Sequence, residues 1–174
     1  YNRSLSPSEI MDLYLSKGLV GYWKMDADQK NSTSTFDSSG YNNHGIITGA
    51  TLTNEGRFKE AYKIDSNAEY ITFGNIFKYN YTVCAWVYPV SNAAELFSFG
   101  SGVYGAPLVF IAGGGWRIYM AADSYRYGPT AVYNTWSHMC FIPSENATNS
   151  HTYANGVLSD GSPIPTGLGI AITG

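Results

Sequence analysis

Gly21-Tyr22-Trp23-Lys24-Met25-Asp26 runs on to Asp37-Ser38-Ser39-Gly40-Tyr41-Asn42-Asn43-His44-Gly45, and the reading of these two stretches decides how the rest of the chain is understood. An aromatic segment of strand composition passes into a loop dense in Asp, Asn, Ser and Gly. A loop of that kind stays ordered when its oxygens are satisfied by a cation or by the chain's own amides. Both solutions are open for Asp37 and Ser38. A calcium ion needs six to eight oxygens gathered from loops. Asp26, Asp28, Asp37, Asn42 and Asn43 offer them around this loop, and Asp65, Asn67 and Glu69 offer more in a second one. Turn capping needs only backbone amides within reach of the carboxylate.

Outward from this loop the chain reads as strands and turns. Candidate strands are 20–25, 45–48, 61–64, 70–73, 79–88, 95–100, 108–112, 116–121, 135–142, 151–154 and 167–172. Short strands at regular spacing, punctuated by glycine, indicate two packed antiparallel sheets. Asn155-Gly156 between Tyr153 and Val157 is a hairpin turn signal. One short helix is expected near the start, where Ser6-Pro7-Ser8-Glu9 supplies an N-cap, a first-position proline and a capping-box glutamate, and Gly18 ends it.

Composition narrows the function. Charged residues make up 13 % of the 174-residue chain and aromatics 16 %, with a formal net charge of −3. That balance suits an all-β protein of the cell exterior and leaves no basic patch for nucleic acid. No apolar run reaches the ~18 residues of a membrane-spanning helix. N-x-S/T sequons at Asn2, Asn31, Asn80 and Asn146 add glycosylation as an expectation, with Asn31 and Asn146 in loop-like sequence.

Catalysis finds little support. Retaining glycosidases pair two carboxylates about 5 Å apart, commonly from alternate strand residues. Glu55, Glu60, Glu69, Glu95 and Glu145 each lack an acidic partner two positions away. No G-x-S-x-G elbow accompanies His44, His138 or His151. His44 reads as a residue that packs and hydrogen-bonds the loop, and His138 as core-facing. Sugar recognition needs exposed aromatic faces with polar neighbours. Tyr104, Trp116, Tyr125, Arg126 and Tyr127 are the expected ligand-binding residues on that ground.

Cys84 and Cys140 both lie in strand patterns. In 81–87 the odd positions Tyr81, Val83, Ala85 and Val87 form an apolar face, while Thr82, Cys84 and Trp86 share the other. Two buried free thiols and one cross-strand disulfide both fit these positions.

The pieces together resemble laminin-G-like jelly-roll modules of the concanavalin A-like lectin/glucanase superfamily. The resemblance rests on the opening Gly-Tyr-Trp strand and Asp-Ser-Ser-Gly loop, then Gly56-Arg57-Phe58 leading to Ala61-Tyr62-Lys63-Ile64-Asp65, then Glu69-Tyr70-Ile71. Tyr81-Thr82-Val83-Cys84-Ala85-Trp86-Val87, Thr135-Trp136-Ser137-His138-Met139 and Tyr153-Ala154-Asn155-Gly156-Val157 follow in the family's order. It implies an all-β, two-sheet antiparallel jelly-roll sandwich over 18–174, with calcium a common cofactor. Through the pentraxins, which share this fold, it implies a Cys84–Cys140 disulfide. It also implies that Trp23, Trp86 and Trp136 are core residues. Residues 1–17 resemble the end of a preceding module, and the family's last strand would follow residue 174.

The resemblance therefore implies a non-catalytic binding module, secreted or on the cell surface, that recognises a glycan or a cell-surface protein in adhesion. The alternative is a structural subunit of an extracellular filament or array, completed by strand exchange with neighbouring copies.

Overall fold

The computed structural model describes residues 18–31, 33–74, 76, 81–92, 95–98, 108–120, 124–142 and 150–159. The expected helix before Gly18, the strand at 167–172, Tyr104, Asn80 and Asn146 lie outside the described residues. The chain divides into two compact units, Tyr1–Ile76 and Phe77–Gly174. Each is built of antiparallel strands. Among the described residues the only helical element is a 3₁₀ turn, Ala27–Gln29.

The first unit carries five short strands: β1 (Ser34–Thr35), β2 (Gly45–Thr48), β3 (Thr51–Thr53), β4 (Ala61–Lys63) and β5 (Tyr70–Thr72). They form one sheet of order β1-β2-β5 and a hairpin β3-β4. The opening segment 20–25 is extended but not a strand. Its one ladder-type pairing is an isolated antiparallel bridge, Trp23 to Asp37. The reason is local. Met25 sits at φ 62°, which breaks strand geometry, and a carboxylate rather than a neighbouring strand takes the Tyr22 amide.

The second unit carries β6 (Val83–Val87), β7 (Glu95–Ser98), β8 (Leu108–Ala112), β9 (Gly115–Met120), β10 (Ser124–Thr130), β11 (Ser137–Ile142), β12 (His151–Ala154) and β13 (Val157–Leu158). One sheet has the order β10-β9-β8-β7 and the other β13-β12-β11-β6. They pack face to face as a β-sandwich. Val109, Ile111, Trp116 and Ile118 come from the first sheet and Val87, Met139 and Phe141 from the second, with Ala131 joining them. Phe141 receives the rings of Phe97 and Trp116 at centroid distances of 6.4 and 5.9 Å. Period-two alternation explains the choice: Ser137, Met139 and Phe141 are buried, while His138, Cys140 and Ile142 are not.

β10 lies where the sequence reading placed no strand, between the candidates 116–121 and 135–142. Gly128 and Pro129 are tolerated because, among the described strands, β10 lies at the edge of its sheet, and its register with β9 shifts between Tyr127 and Thr130. The Asn155-Gly156 turn forms as expected. Both residues have positive φ, 51° and 82°, the geometry of a two-residue hairpin between β12 and β13.

Candidate functional site

The loop around Asp37 is held by a dense hydrogen-bond system. Asp37 is only 8 % exposed, and its carboxylate accepts four bonds. Oδ1 takes the amides of Tyr22 and Ser39, both at 2.8 Å; Oδ2 takes the Ser39 hydroxyl at 2.6 Å and the Asn43 amide at 3.0 Å. Burial alone would raise the Asp37 pKa. The bonds from Ser39, Tyr22 and Asn43 outweigh it and hold the carboxyl below its ordinary value near 3.8.

Neighbouring residues extend the system. Asn43 donates its side-chain amide to the Val20 carbonyl at 2.6 Å and accepts the Trp23 indole N–H on its own carbonyl at 2.8 Å. His44 Nδ1 accepts the Asp37 amide at 3.1 Å, so His44 packs the loop, as its isolation in sequence indicated. Gly45 is required by crowding. A Cβ there would meet Phe73, Thr35 and Ile71 side-chain atoms at 2.7 to 2.9 Å.

This donor set fits amide capping and not a calcium ion, because the four acceptor positions of Asp37 already hold chain donors. The other expected ligands are placed apart in role. Asp26 precedes the 3₁₀ turn and Asn42 adopts φ 60° in the loop. Asp65 pairs with Lys63 at 2.9 Å and donates its amide to Glu69 at 2.6 Å, and Asn67 lies between the two in sequence. Among the described residues, the carboxylates of Asp26, Asp37, Asp65 and Glu69 form no group of three within metal-binding distance.

The expected aromatic site is largely redistributed. Trp116 is 3 % exposed and Arg126 8 %, both facing into the second unit, so neither offers an exposed face. The cause is that 116–120 and 124–130 are paired strands, and alternation turns Trp116, Ile118 and Arg126 inward. Tyr127 is half-buried with the Arg117 guanidinium 5.0 Å above its ring. Tyr125 lies on β10, opposite Tyr119. Tyr104 lies outside the described residues.

An exposed aromatic face does exist, on the opposite sheet. β6 and β11 pair so that Trp86 faces His138 and Cys84 faces Cys140. Directly opposed residues share a face, and alternation adds Tyr88 and Trp136 to it. The result is a ladder of three cross-strand pairs: Tyr88 with Trp136 at 5.5 Å, Trp86 with His138 at 5.2 Å, and a Cys84–Cys140 disulfide. Four residues of strand separate the outer rungs, about 13 Å. Trp86 is 38 % exposed and Tyr88 44 %.

The fold positions this ladder firmly. Its far side is the apolar core of Val87, Met139 and Phe141. The Asn155 side chain accepts the His138 amide at 2.9 Å, and the Asn155 amide donates to the His138 carbonyl at 2.8 Å. At the other end the Asn134 amide donates to the Pro89 carbonyl at 2.9 Å. Trp86 is therefore not the core residue that the resemblance implied, and His138 is not core-facing. Trp23 and Trp136 are half-buried; Trp23 packs on Phe73 at 4.2 Å. The alternation of 81–87 already placed Trp86 opposite the apolar positions, and that was the signal for it.

Comparison with known proteins gives one finding. A family model of laminin-G type, described as the concanavalin A-like lectin/glucanases superfamily, matches residues 64–173. No curated protein and no solved structure matches the chain.

Proposed function

Because the chain belongs to the concanavalin A-like lectin/glucanases superfamily, whose laminin-G-type fold is that of a binding module, we propose that it is a non-catalytic glycan-binding module of the cell exterior. The observation that carries this reading is the ladder in which Tyr88 and Trp86 are exposed and pair with half-buried Trp136 and His138. Aromatic faces stack on sugar C–H groups, and indole and imidazole N–H groups bond hydroxyls at the ring edge. The ladder's length suits a short oligosaccharide lying along the strands.

The disulfide and the family favour an extracellular setting, since such bonds persist where the surroundings are oxidising. Among the described residues no helix is long and apolar enough to cross a membrane. Asn31, an expected glycosylation position, is exposed, and its side-chain oxygen accepts the Thr33 and Ser34 amides at 2.9 and 2.7 Å.

The test is binding to an array of neutral and acidic oligosaccharides, followed by titration of the best hit with the Trp86→Ala variant. Saturable binding that Trp86→Ala abolishes, with the far-UV spectrum and melting temperature near those of the parent, is the expected result. Binding unchanged in Trp86→Ala, or none across the array, removes the glycan reading. Capture of a protein by the same face in the latter case points to protein recognition instead.

A further inference from the structure

The Cys84–Cys140 rung and His138 of the adjoining rung together offer more than a crosslink. Cys84, Cys140 and His138 bring one sulfur, one sulfur and one imidazole nitrogen within 4.8 Å of one another, and among the described residues no other trio of metal-ligating side chains does so. We propose that, with the disulfide reduced, these three residues form a binding site for a thiophilic metal ion such as Zn²⁺, with water or an external ligand in the fourth position.

The arrangement follows from the register. Cys84 and Cys140 are directly opposed on β6 and β11, and His138 lies two residues before Cys140 on the same face. A tetrahedral zinc ion holds thiolate sulfur at about 2.3 Å and imidazole nitrogen at about 2.0–2.1 Å, so its ligand atoms span less than ~4.6 Å. Small side-chain rotations bring the trio to that span once the sulfurs are separate. The frame is rigid on the core side, where Met139 and Phe141 are 1 % and 0 % exposed. Asn155 holds the His138 backbone through both its amide and its carbonyl. The Trp86 ring beside His138 limits how the imidazole turns. On the other side Cys84 is exposed, which gives a reductant and then an ion a path in.

The chemistry balances with a dithiol as reductant. Its two thiols give two electrons and two protons to the Cys84–Cys140 bond and close to a cyclic disulfide, leaving two cysteine thiols. On binding a divalent ion each thiol releases its proton, and His138 donates the lone pair of a neutral imidazole. Disulfide and metal-loaded dithiol are thus alternative occupants of one rung. This site stands independently of the glycan reading, because its readout involves no sugar.

The experiment uses the whole chain, reduced with a dithiol, freed of reductant under anaerobic conditions and titrated with Co²⁺, then Zn²⁺. The expected result is a thiolate-to-cobalt charge-transfer band that saturates at one ion per chain, is displaced by Zn²⁺, and is absent from the oxidised protein. Two protons are released per ion. His138→Ala should weaken Co²⁺ binding at least about tenfold, since even loss of an outer-shell partner costs that much, and Cys84→Ser should abolish the band. A reduced, folded chain without the band overturns the proposal, as does a band that survives Cys84→Ser. Should reduction unfold the chain, near-UV circular dichroism decides: recovery of the folded signal on adding Zn²⁺ supports the site, and no recovery overturns it.

Discussion

The Asp37 loop of the first unit and the β6–β11 ladder of the second are both dense in groups capable of binding, yet they are organised in opposite ways. Around Asp37 the binding capacity is spent inside the molecule: one carboxylate ties Tyr22, Ser39 and Asn43 together. The buried residues of that region, Thr35, Asp37 and Ser39, are polar, so hydrogen bonds hold it. On the ladder an apolar core behind Met139 and Phe141 does the holding, and the aromatic side chains in front are left partly open to solvent. A ligand-rich sequence therefore marks a binding site only where something else stabilises the backbone.

The largest test of that contrast is the core. Trp116→Ala should cost about 3–5 kcal/mol, as expected of a buried large aromatic residue, and unfold the second unit at lower denaturant. A variant that keeps full stability would mean that Trp116 is not a core residue.

Next comes Asp37→Ala, which strands several part-buried donors. A loss of about 3 kcal/mol is expected, given that bonds to charged groups contribute about 1.5–3 kcal/mol each and are not additive. The same carboxylate sets a pH dependence. Its folded pKa lies below the unfolded value near 3.8, so its stabilisation is complete above that pH and is lost as pH falls through the folded pKa. Acid titration of the melting temperature should show this loss in the parent. In Asp37→Asn, already weaker at neutral pH, the drop should flatten; parallel curves would exclude Asp37 as its source.

A smaller change is expected on the ladder. Trp86→Ala should cost about 1 kcal/mol or less in a denaturant titration, because the residue is 38 % exposed and its ring packs on the side chain of His138 rather than in the core. A loss as large as that of Trp116→Ala would show the face to be structural and erase the contrast. The smallest effect is the calcium comparison: melting temperatures in Ca²⁺ and in EDTA should agree, since the Asp37 acceptors are filled. A clear rise with Ca²⁺ would reopen the loop as an ion site.

Much of this was legible in the chain. The Asp37 motif predicts an ordered loop, the patterns at 81–87 and 135–142 predict two strands, and Asn155-Gly156 predicts its hairpin; that the two strands pair is a finding of the structure. The disulfide followed from resemblance and is present. Other features were not legible because they depend on which strand lies at an edge. Residues 124–130 contain Gly128 and Pro129, which locally read as a loop, and only their place beside β9 at the border of a sheet makes them a strand.

The sequence by itself determined the all-β class, the family and the positions that can share a face, because period-two alternation and turn chemistry are local properties. Only tertiary structure decided which face is open. Trp116 and Trp86 are both tryptophans in strands; alternation sets Trp86 apart from the apolar positions of its own strand, but only the packing of the two sheets shows which faces are covered. Packing buries the first against Phe141 and leaves the second beside His138 in partial contact with water. It likewise decided the fate of Asp37, whose four donors arrive from residues as far away in sequence as Tyr22. Local composition can supply ligands, but only the folded chain determines whether its own amides reach them first.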